Sequence, residues 1–103
     1  MKDIILLFAL QFASDFNRPL PAIEFTQAEL IRYYGMAEKK DSVWVITLDT
    51  EFVNHAHPGQ LKTLVYHELG HVVLGLDDSE NRDFMNPDCV VVKYNRLKSL
   101  RIR

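Results

Sequence analysis

The segment 64–87, LVYHELGHVVLGLDDSENRDFMNP, constrains this chain more than any other. It contains His67-Glu68-Leu69-Gly70-His71, the H-E-x-x-H pattern, in an apolar run that stops at Gly75. Residues four apart on an α-helix differ by only about 40° around its axis, because a turn takes ~3.6 residues. A helix here sets the imidazoles of His67 and His71 on one face, one turn apart, within reach of one metal ion. Glu68 stands beside that face, placed to act as general base on a water at the metal. Two imidazoles, a carboxylate base and an open coordination position are the parts of a hydrolytic zinc centre. The same helix must bury its other side. Leu61, Val65, Leu69, Val72 and Leu76 recur at helical spacing and predict the core stripe. Leu64 and Leu74 are expected to flank the metal, excluding water. Pro58 suits a first helical position. Gly75 suits the left-handed conformation that ends a helix and turns the chain back toward the metal.

Asp77 and Asp78 follow that glycine, and a carboxylate oxygen is an ordinary zinc ligand. A polar connection leads on to Met85-Asn86-Pro87. HELGH, GLDD and FMNP in this order resemble the metzincin group of zinc metallopeptidases. The resemblance implies a zincin-like fold with His67 and His71 as zinc ligands, Glu68 as general base and Met85 as the turn methionine beneath the metal. It implies an aspartate as third ligand. The family's spacing from the second histidine points to Asp77, and its spacing from the glycine points to Asp78. The chain has one extra residue between His71 and Gly75, and Asp78 is preferred because the glycine sets where the chain turns. The family's tyrosine two residues after the methionine is replaced here by Pro87. The resemblance covers about a quarter of the chain.

The rest of the chain bounds the reading. A length of 103 residues allows one small domain, expected over 1–103. An apolar fraction of 48% is enough for a core, but domains of this size gain from a staple, and a bound metal serves as one. A net charge of −2 gives no field for nucleic acid or anionic membrane. The apolar runs fall short of the ~18 residues of a membrane span. A single cysteine, Cys89, permits no internal disulfide and fits a reducing compartment. A cytoplasmic monomer is expected, or a secreted one if residues 1–13 are a signal. For residues 1–16 the preferred reading is a first helix with Ile4, Leu7, Phe8, Gln11 and Phe12 inward. Asp3 and Gln11 argue against the signal.

Pro19 and Pro21 break the chain. Residues 22–26 read as a short strand. Thr26 and Glu29 have capping-box spacing, which predicts a short helix to about Tyr34 closed by Gly35, with a continued strand as the alternative. A hairpin follows: 36–38, a polar turn at 39–42, then 43–48. By the zincin resemblance this second strand, with Val43, Trp44, Val45, Ile46 and Thr47, is the edge that binds substrate backbone. An open edge offers its N–H and C=O groups to an extended peptide. The alternative is an interior strand with its apolar residues in the core. His55 and His57 read as exposed residues of a loop into the helix. Residues 88–103 read as a closing helix, with Val90, Val91, Tyr94 and Leu97 at helical spacing.

The expected fold is therefore α+β: a short twisted sheet packed on an active-site helix, with N- and C-terminal helices. The expected activity is zinc-dependent hydrolysis of peptide bonds in a protein or peptide substrate. One alternative is a small cytosolic regulatory zincin of the repressor-cleaving type, which takes its third ligand from farther downstream. The other is a non-catalytic, zinc-stabilised module that captures a peptide.

Overall fold

A computed structural model describes residues 2–31, 33–76 and 101–102. In chain order the elements are α1 (Lys2–Phe16), β1 (Ile23–Ala28), β2 (Tyr33–Lys40), β3 (Val43–Asp49), α2 (Thr50–His55), α3 (Pro58–Val73) and β4 (Arg101–Ile102). The result is a small α+β domain. Its sheet is mixed, in the order β1-β3-β2-β4. The β1–β3 pair is parallel, β2–β3 antiparallel and β2–β4 parallel.

The N-terminal segment forms the expected helix, but turned about its axis from the expected stripe. Ile5, Phe8, Ala9 and Phe12 are buried, whereas Leu7 is 51% exposed, with Leu6 and Leu10 similarly open. The run IILLFAL contains several overlapping helical stripes, and packing against α3 selects the one that continues through Phe12 to Phe16. Phe12 lies 5.1 Å edge-on from Tyr66 of α3 and 4.6 Å from Phe16. Tyr66 also donates its phenolic hydrogen to Asp15 Oδ2 at 2.5 Å. Such aromatic pairs add about 0.5–1.5 kcal/mol beyond area burial. The helix ends where Asn17 takes φ 50°. Its N–H donates to the Ser14 carbonyl and that of Arg18 to the Ala13 carbonyl, the paired bonds of a left-handed helix end. No helix among the described residues is long and apolar enough to cross a membrane.

The short helix expected from Thr26 to Tyr34 is absent. β1 continues to Ala28, and β2 begins at Tyr33. The Thr26 hydroxyl lies 3.1 Å from that of Thr47, its partner in the β1–β3 register. A cross-strand contact thus takes the place of the cap. The hairpin is present with a tighter turn than expected: Lys40 pairs with Val43, leaving Asp41 and Ser42 as the loop, and Asp41 at φ 55°. The interior alternative holds for β3, which pairs with β1 on one side and β2 on the other. The edge-strand reading of Val43, Trp44, Val45, Ile46 and Thr47 is thereby corrected. Alternating hydrophobicity sets which face of a strand is buried, but not which strands flank it.

α2 was not anticipated; it absorbs Asn54 and His55 from the expected loop. Buried Asp49 builds it. One carboxylate oxygen accepts from Phe52 N–H at 3.1 Å and caps the helix, while the other accepts from Leu30 N–H at 2.9 Å. Phe52 then packs on Tyr34 with ring centroids 4.7 Å apart. At the C-terminal end, Arg101–Ile102 pairs as a strand with Tyr33 and Gly35, which corrects the expected helix at those two residues. The remainder of that expected helix lies outside the described residues.

Candidate metal centre

α3 carries the H-E-x-x-H residues and is held on two sides. It packs on α1 and on β2, and every residue from Leu64 to Gly70 is buried. Pro58 occupies its first turn, as expected. The His57 N–H donates to Gln60 Oε1 at 2.9 Å, which satisfies one of the helix-start donors. His57 and His55 are exposed, as the sequence suggested. Of the expected core stripe Leu61, Val65 and Leu69 are buried, and Leu64 joins them; Val72 and Leu74 are only partly buried against the core, and Leu76 lies beyond the helix end and outside it.

His67 is 0% exposed and Glu68 1% exposed, in the buried middle of the helix. His71, one turn later, is half-buried. The two imidazoles stand edge to face, their planes 85° apart and their centroids 4.7 Å apart. Their Nε2 atoms lie 3.1 Å apart. Two nitrogens each about 2.0–2.1 Å from a tetrahedral zinc are separated by roughly 3.3–3.4 Å. A few tenths of an ångström of side-chain motion therefore fits zinc between them. The imidazole pair suits a borderline-soft cation that accepts nitrogen donors.

Gly75 takes φ 65°, in the left-handed region. The chain reverses there, so that the Leu76 N–H donates to the Gly70 carbonyl at 3.0 Å. The Leu76 carbonyl lies 2.7 Å from His71 Nδ1. Asp77, Asp78 and Met85 lie outside the described residues. Among the described residues no group of three or more His, Cys, Asp and Glu side chains forms a ready metal cage.

Gly35 is a site neighbour that sequence reasoning placed wrongly, as the end of a helix. It sits in β2 where that strand crosses α3. A Cβ at Gly35 would lie 3.2 Å from Leu64 Cδ1, 3.3 Å from Leu48 Cδ2 and 3.5 Å from Glu68 Cγ. The signal was present, since a lone glycine within a strand pattern marks a close approach. Of the five β3 residues expected to bind substrate, Trp44 and Ile46 share the face of Gly35, and Ile46 is fully buried. Val43, Val45 and Thr47 alternate onto the other face. β2, rather than β3, is the strand beside Glu68. Among the described residues, positions 36–40 of β2 pair only with β3.

On the opposite side of α3, burial and then the Asp15 contact push the Tyr66 phenol well above its ordinary range. No family model, no curated protein and no solved structure matches the chain.

Proposed function

We propose that this chain is a zinc-dependent endopeptidase. The observation that carries the reading is the convergence of two imidazole Nε2 atoms at 3.1 Å on one helix face, with the Glu68 carboxylate on the adjoining position. His67 and His71 would hold the metal, with Asp78, or Asp77, as the third ligand and Met85 as the supporting turn methionine that the resemblance implies. Bound zinc would polarise the scissile carbonyl and bring the pKa of a coordinated water toward ~7. Glu68 takes the proton from the attacking water and delivers it to the leaving amine. Leu64 and the crossing of β2 at Gly35 exclude bulk water from Glu68 and strengthen local electrostatics. The extended substrate is assigned to the outer edge of β2 over positions 36–40, because β2 is the strand packed beside Glu68.

A second reading, a zinc-stabilised module without catalysis, is favoured by the near-complete burial of His67 and Glu68. Zinc analysis of purified, untagged protein after exposure to one equivalent and dialysis tests both, together with cleavage of a peptide library. The peptidase reading expects about one zinc per chain, with Glu68→Ala keeping the metal and losing about 10²–10⁴-fold in turnover. No retained zinc sinks both readings. Zinc without cleavage leaves the binding module. Zinc retained after loss of both Asp77 and Asp78 favours the repressor-cleaving type, with its more distant ligand.

A further inference from the structure

We infer that the reversal at Gly75 is a positioning device for His71, one that fixes its tautomer before any metal binds. This rests on the zinc reading above for its purpose, but not for its geometry. A backbone carbonyl can only accept a hydrogen bond. At 2.7 Å from the Leu76 carbonyl, His71 Nδ1 must therefore carry the hydrogen. The lone pair of a neutral His71 then lies on Nε2, the atom facing His67 Nε2. In the other tautomer Nδ1 would present a lone pair to the carbonyl oxygen, and Nε2 would present a hydrogen where the metal must sit. Ligating histidines commonly use such a partner on the second nitrogen, and its loss costs about 10–100-fold in metal affinity.

The carbonyl is delivered by a single backbone conformation. Gly75 holds φ 65°, and the Leu76 N–H is tied back to the Gly70 carbonyl. The Leu76 carbonyl thus hangs over the last turn of α3, at the height of His71. A side chain at Gly75 would meet nothing within 4 Å. Substitution there perturbs the backbone angle and leaves the packing alone. Asparagine tolerates the left-handed region better than alanine, so the two variants separate backbone conformation from mere loss of glycine.

Two measurements test this. The first is the nitrogen chemical shifts of the His71 ring by NMR in the metal-free protein, at about pH 8.5, two units above an ordinary imidazole pKa. The expected state is hydrogen on Nδ1 in the wild type and a mixture of tautomers in Gly75→Ala. Hydrogen on Nε2 in the wild type overturns the inference. Because no metal is present, this result stands apart from any failure of the zinc reading. The second is competitive zinc titration of wild type, Gly75→Ala and Gly75→Asn. About 10–100-fold weaker binding is expected for Gly75→Ala, with most of the loss recovered in Gly75→Asn. Equal affinity in all three, with the metal-free fold intact, overturns it.

Discussion

Replacing Gly35 by alanine tests whether β2 holds Glu68 in place. The new methyl would meet Leu64 Cδ1 at 3.2 Å, Leu48 Cδ2 at 3.3 Å and Glu68 Cγ at 3.5 Å. Comfortable carbon contacts lie at about 3.5–4.0 Å, so two neighbours must each retreat by a few tenths of an ångström. Overpacking of this kind costs about 1–3 kcal/mol. Alanine in a strand recovers roughly 0.5–1 kcal/mol of the backbone entropy that glycine forfeits. The net expectation is a loss near 1 kcal/mol. For a domain of this size that lowers Tm by about 4–8 °C, read by circular dichroism on metal-free protein. The catalytic consequence is separate. Glu68 Cγ, bonded to the carboxylate carbon, is in ordinary contact at 3.5 Å; the base is moved through Leu64, one turn earlier on α3, whose retreat carries the helix face with it. Since ~1 Å of misplacement can cost about 100-fold, a few tenths should lower kcat several-fold, with KM and zinc stoichiometry unchanged. A variant as stable and as active as the wild type would refute the reasoning. The side chains around position 35 would then yield freely, and the close approach would not be what orders Glu68.

Tyr66→Phe removes the hydrogen bond to Asp15 and should cost about 1 kcal/mol at neutral pH in urea titrations. It should also flatten the alkaline limb of the stability profile. The folded phenol holds its proton more tightly than the unfolded one, so this stabilisation is complete below about pH 10 and declines as pH rises beyond it. A wild type whose stability does not fall between about pH 10 and 11 relative to the variant would contradict that sign. Asp49→Ala removes the cap of α2 and the bond to Leu30 together. A loss of about 2–4 kcal/mol is expected from the cap and the charged hydrogen bond, and a loss under about 1 kcal/mol would show that water replaces both.

What was legible in the sequence was whatever a short window encodes. α3 announced itself by Pro58, its apolar recurrence and Gly75, and the hairpin by β-branched residues around a polar turn. The two histidines came with the helix, because their spacing and the helical pitch are one fact. The stripe of α1 could not be chosen from within the run 4–10, since the choice belongs to Tyr66, far downstream in the sequence. Thr26 offered a cap or a cross-strand partner, and only the arrival of Thr47 decides between them. β3 reads equally as an edge or an interior strand, because nothing local tells a strand how many neighbours it has. α2 hides because its cap, Asp49, is also the last residue of a strand. Gly35 was visible as a punctuation mark but was read as the wrong one, since the helix it accommodates lies far downstream.

The position of β3 between its sequence neighbour β2 and the earlier β1 also orders assembly in time. β1 has no partner among the described strands except β3, and Ile23 must find Trp44, twenty-one positions further along the chain, in register. The β2–β3 hairpin closes a two-residue loop and can form within microseconds. β1 can dock only on a template that already exists, after the entropy of the longer loop has been spent. Weakening β1, for example by Phe25→Ala, should therefore speed unfolding while leaving the refolding rate nearly unchanged, as stopped-flow kinetics would record. A slowed refolding arm would place β1 in the nucleus. On the expected course, the chain's first strand is among the last to be secured, and its N-terminal third is fastened by a scaffold synthesised after it.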